Sequence, residues 1–64
     1  MTENMKTAIR QVHGCSRTAK EMGQDTRTMK ALERRGIVRR FVRGRAVYWM
    51  LTPYGVENYN SLTD

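Results

Sequence analysis

At Gly36 the spacing of apolar residues changes, and that change limits the folds open to this chain. Before it, Met5, Ala8, Ile9 and Val12 recur at i, i+3, i+4 and i+7, the pattern of one helical face. After it, Ile37–Val42 and Ala46–Leu51 are rich in β-branched and aromatic residues and flank Arg43-Gly44-Arg45, which reads as a hairpin. Gly14, Gly23, Gly36, Gly44 and Gly55 are isolated single residues, each where a helix or strand is expected to stop or turn. The fold class expected is therefore α+β, with three helices, a two-stranded hairpin and a short closing helix. Sixty-four residues form one domain, 1–64, near the lower size limit for folding without disulfides or metal.

The helical half divides further. Thr2 or Asn4 caps a first helix over residues 3–13, ended by Gly14. Ser16 opens a short second helix over Arg17–Met22, which Gly23 ends. Asp25 caps a third, running through Thr26–Arg35 to Gly36. In the hairpin, a two-residue turn at Arg43-Gly44 or at Gly44-Arg45 divides the side chains between faces in the same way. Val38, Val42, Val47, Trp49 and Leu51 share one face, and Arg39, Phe41, Tyr48 and Met50 the other. The first face holds more apolar bulk, including Trp49, and is assigned to the core. Thr52-Pro53 then starts the closing helix, with Val56, Tyr59 and Leu62 on its inner side and fraying after Ser61.

Charge sharpens this outline. Residues 1–16 sum to +1, residues 17–45 to +7 and residues 46–64 to −2, within an overall +6. Ten of the twelve Lys and Arg residues fall in the middle block, so the asymmetry describes one surface and implies an anionic partner. Other classes are disfavoured. A lone Cys15 permits neither an internal disulfide nor a thiolate-rich zinc site, and His13 nearby does not complete one. The isolated glycines make no phosphate loop, and Glu21, Asp25 and Glu33 lie among arginines as charge-balancing or capping residues. No enzyme activity and no cofactor are expected. The stretch Met1–Val12 lacks an apolar signal core, and the longest apolar run, Ala46–Leu51, is far below the roughly 20 residues of a membrane helix. A cytoplasmic location is expected.

The most specific pattern is Ala19-x3-Gly23-x5-Met29-x2-Leu32. A small residue lets two helices approach, a glycine four residues later makes the sharp turn, and two apolar residues dock the second helix on the first, with Met22 adding a buried contact. This helix-turn-helix spacing is coupled to Leu32-Glu33-Arg34-Arg35-Gly36-Ile37-Val38, the hairpin, and Leu51-Thr52-Pro53-Tyr54-Gly55. Together these segments resemble winged helix-turn-helix transcriptional regulators, particularly the multiple-antibiotic-resistance and arsenical-resistance types, over residues 5–60. The chain differs from them in three ways. Gln24 stands where an aliphatic residue is usual, the third helix is short, and the long dimerisation helices have no counterpart, so neither dimer arrangement nor ligand pocket carries over.

The resemblance implies double-stranded DNA as partner and a small transcriptional regulator as function. The third helix, about residues 25–35, would enter the major groove, and the wing, about 38–51, would reach backbone or minor groove. With Met29 and Leu32 facing inward, Thr26, Arg27, Lys30 and Arg34 point outward, the first two at the groove-entering end. Arg27 matches a guanine edge, Thr26 a base or a phosphate, and Lys30 and Arg34 phosphates. Arg17 and Lys20 start the helix that crosses the backbone, and Arg39, Arg40, Arg43 and Arg45 form the basic wing. Phe41, Tyr48 and Met50, extended by Tyr54, are either ordinary surface or a contact for a homodimer or another protein partner. The alternatives to a regulator are a phage or plasmid DNA-processing factor and a protein-interaction module.

Overall fold

The computed structural model describes all 64 residues. Helix α1 (Glu3–Gln11) is followed by strand β1 (Arg17–Thr18), helices α2 (Ala19–Met22) and α3 (Thr26–Arg34), strands β2 (Val38–Arg43) and β3 (Ala46–Leu51), and helices α4 (Pro53–Glu57) and α5 (Tyr59–Thr63). The strands form an antiparallel sheet in the order β1-β3-β2. The architecture is α+β, with five helices and a three-stranded sheet in place of the expected four helices and two strands. No helix is long and apolar enough to cross a membrane.

The core is a single cluster: Ala8, Ile9 and Val12 of the α1 face, Met22, Met29 and Leu32 around the α2–α3 turn, and Ile37, Val38, Trp49 and Leu51 from the sheet. Met5, Ala19, Tyr59 and Leu62 pack against its edge. Thr2 caps α1, its hydroxyl accepting from the Met5 amide at 3.2 Å. Helix α1 ends at Gln11, two residues short of the expected span 3–13, with Val12 as its C-cap. Helix α3 ends at Arg34 with Arg35 as its C-cap.

Three further sequence expectations are corrected. Ser16 opens no helix: Arg17 and Thr18 are extended and pair with Trp49 and Tyr48. The cap is Thr18, whose hydroxyl accepts from the Glu21 amide at 3.1 Å, while the Glu21 carboxylate accepts from the Thr18 amide at 3.0 Å. This reciprocal box satisfies two amides at once, which a single serine hydroxyl two residues earlier does not. Val42 and Val47 lie on the expected face but are 68% and 39% exposed, because the distal hairpin extends past the helices that cover Val38, Trp49 and Leu51. The closing helix is two short helices that break at Asn58, whose side-chain amide donates to the Tyr54 carbonyl at 2.9 Å. Val56 accordingly points to solvent, 57% exposed.

Gly55 also departs from expectation. It is buried within α4 and has no positive φ. A Cβ there would run into the Ile37 carbonyl oxygen, so glycine lets α4 close onto the start of the hairpin. The same junction is held by Thr52, whose amide donates to the Ile37 carbonyl at 3.0 Å and whose hydroxyl caps the Gly55 amide at 3.1 Å.

Candidate nucleic-acid interface

The α2–α3 turn has the stereochemistry its spacing requires. Gly23 adopts φ 69°, a left-handed value that L side chains rarely adopt, and ends α2. Met29 and Leu32 are fully buried behind it, and Met22 is 6% exposed. Gln24, which follows the turn glycine, is half-buried. Its amide donates to the Gln11 side-chain oxygen at 3.2 Å, and the Gln11 amide donates to the Met22 carbonyl at 2.9 Å. Two glutamines thus tie the turn to the end of α1 by hydrogen bonds where an aliphatic side chain would use packing.

Helix α3 is capped by Asp25, whose carboxylate accepts from the Arg27 amide at 2.9 Å. Its other oxygen meets the Arg27 guanidinium at 3.3 Å. The backbone bond, and then the guanidinium, hold the Asp25 carboxyl below the usual carboxylate range. Glu21 is lowered in the same direction, by the Thr18 amide first and the Thr18 hydroxyl second. Thr26, Arg27, Lys30 and Arg34 are all exposed, as the inward placement of Met29 and Leu32 requires. The spacing i, i+3, i+7 sets Arg27, Lys30 and Arg34 along one stripe of the helix.

The hairpin closes through Gly44-Arg45, since Arg43 pairs with Ala46. Gly44 has φ 63° and Arg45 no positive φ, the sign pattern of a type II′ turn. Arg43 and Arg45 are exposed beside it. Strand alternation separates the other two wing arginines. Arg40 sits opposite Trp49 on the face toward α3 and pairs with Glu33 at 3.6 Å, tying hairpin to helix. Arg39 sits opposite Met50 on the far face, away from α3.

The twelve cations therefore fall into two sets. Lys6 and Arg10 donate to the Asp64 and Thr63 carbonyls at 2.6 and 2.7 Å. Arg17, expected on a helix but found on β1, donates through Nε to the Gln11 carbonyl at 2.8 Å, and Arg27 and Arg40 have carboxylate partners. Lys20, Lys30, Arg34, Arg35, Arg39, Arg43 and Arg45 have no side-chain partner within the chain. Arg35 was absent from the sequence-based set. Its signal was the Arg34-Arg35-Gly36 run at the end of α3, where it is exposed.

On the far face of the sheet, Phe41 and Tyr48 stack with centroids 5.5 Å apart, as cross-strand neighbours. Phe41 and Met50 line a shallow apolar groove with Val12, Cys15, Leu51 and Val56. Tyr54 is 52% exposed and is not one of the residues lining that groove. Comparison with known proteins adds no relative: no family model, curated protein or solved structure matches the chain.

Proposed function

We propose that this protein is a sequence-specific double-stranded DNA-binding module of winged helix-turn-helix type, acting as a small transcriptional regulator. The observation that carries the reading is the distribution of unpartnered charge. All seven Lys and Arg side chains without an internal partner lie between Lys20 and Arg45, on α2, on α3 and its C-cap, and on the hairpin. The exposed stripe of α3 supplies the groove-reading surface and the Arg43–Arg45 tip the flanking contact. Arg27 is the base reader in this scheme. Asp25 caps the helix and holds the guanidinium near its N-terminus, where a recognition helix meets base edges. Lys30, Arg34, Arg43 and Arg45 contact phosphates.

Magnitudes make the proposal testable. Each phosphate neutralised on B-DNA contributes about −0.9 to the slope of log affinity against log salt, so contacts from Lys30, Arg34, Arg43 and Arg45 together give a slope of about −3.6. Selection of bound sequences from a random duplex pool should return a defined motif. Arg27→Ala should relax one base position and cost about 1–3 kcal/mol on the selected site, while Arg45→Ala should weaken selected and random DNA alike. A flat selection profile, or equal losses from both variants on both DNAs, overturns the assignment.

A further inference from the structure

We propose that the face of the sheet turned away from α3 is a self-association surface, on which a second copy of this chain docks about a twofold axis. Its apolar floor is continuous: Met50, Leu51 and Val56 are common to the groove that reaches Phe41 and to a neighbouring one between β2–β3 and α4. This second groove carries one charge of each sign. Arg39 lies on its hairpin side and Glu57 on its α4 side, and the two form no ion pair with each other.

The chemistry of these two residues selects the occupant. Glu3, Glu21, Asp25 and Glu33 each have a partner within the chain, whereas the Glu57 and Asp64 side chains have none, and of these two Glu57 lines the groove. An acidic protein or a nucleic acid would be drawn to the other six unpartnered cations, not to a groove in which Arg39 is balanced by Glu57. A twofold interface demands that a patch be its own complement, apolar against apolar and cation against anion. Met50, Val56, Arg39 and Glu57 meet that demand, with Arg39 of each copy reaching Glu57 of the other. The scale also suits a reversible dimer. Principal extents of 33 × 21 Å cap the contribution of one face at about 700 Å² per copy, near the standard interface size. Docking there leaves the exposed stripe of α3 uncovered, and the inference does not depend on whether that stripe binds DNA.

The test is sedimentation equilibrium of the full chain without DNA, from about 10 μM to 1 mM. A monomer–dimer equilibrium is expected in this range. Arg39→Glu and Glu57→Arg should each raise the dissociation constant about tenfold, since each places like charges together at both symmetry-related contacts. The double exchange R39E/E57R should restore it, a recovery that a folding defect would not produce. Val56→Glu, at an already exposed position, should abolish association. A single 7.5 kDa species at every concentration, or a dimer indifferent to all four variants, overturns the proposal.

Discussion

Lys6 and Arg10, at the end where α1 meets α5, donate to the Asp64 and Thr63 carbonyls. Lys30 and Arg34, on the exposed side of α3, donate to nothing in the chain. The same residue types serve closure at one end and remain available at the other. The difference teaches that local net charge is a poor guide to a binding surface in so small a domain. What distinguishes the α3–hairpin side is the number of cations left over after the fold has used those it needs. Its acids follow the same rule: Asp25 and Glu33 each hold an arginine, Arg27 and Arg40, in place against the framework.

The largest expected effect would erase this contrast. Leu32 is fully buried where α3 meets the rest of the core, so Leu32→Ala removes a side chain on which both regions depend. A loss of about 2–5 kcal/mol is expected, most or all of the stability of a domain this small. Urea denaturation followed by tryptophan fluorescence, with Trp49 as the single reporter, measures it. A far-ultraviolet circular dichroism transition that does not coincide with the Trp49 curve would mean that the molecule contains two units rather than one.

Thr18→Ala tests the junction between strand β1 and helix α2. Losing the hydroxyl that caps Glu21 should cost about 1 kcal/mol, read as a lowered urea midpoint with an unchanged slope. Thr18→Ser keeps the hydroxyl and should recover most of the loss. The same junction shows why this part of the fold was hard to foresee. The Thr18-x-x-Glu21 box is visible in the chain, but Ser16 competes with it as a cap. What decides between them is the pairing of Arg17 and Thr18 with Trp49 and Tyr48, some thirty residues away.

Helix α3 was legible because its signals are local: the Asp25 cap, the Gly23 turn and the Met29–Leu32 spacing together determine which side faces out. The hairpin was legible in face but not in depth. Alternation places Val42 and Val47 beside Trp49, yet only the position of the helices reveals that the sheet outruns its cover. The exposed stripe of the candidate interface was legible for the same local reason. The internal ties of Arg17 to Gln11 and Arg40 to Glu33 were not, because they join residues whose proximity is created by folding.

Acid separates the two regions in a smaller way. Asp25 and Glu21 have carboxyls held below their ordinary range by amide and side-chain donors. With folded values depressed, their contribution is present above the unfolded pKa values. It is lost as pH falls from about 4.5 for Glu21 and about 3.8 for Asp25 through the lowered folded values. Backbone amide shifts of Arg27 and Glu21 should titrate in that window, signalling loosening of the α2 and α3 starts. The Arg10–Thr63 contact involves a neutral carbonyl, so the Arg10 side-chain resonances should hold through the same window. Parallel titration at both ends would mean that acid opens the whole domain together.

The smallest expected effect is the one that isolates the contrast most cleanly. Arg10→Ala removes a cation as fully as Arg45→Ala does, so both variants lower the net charge from +6 to +5. If affinity for DNA followed net charge alone, the two would weaken binding equally. Because Arg10 is engaged by the α5 carbonyl and lies outside the unpartnered set, its loss should change stability by no more than about 0.5 kcal/mol and leave the salt slope intact. Arg45→Ala should make that slope shallower by about 0.9, the signature of one phosphate contact removed. A paired titration of both variants on one duplex, at several salt concentrations, separates the alternatives. Equal slopes for Arg10→Ala and Arg45→Ala would return the basic surface to a matter of overall charge.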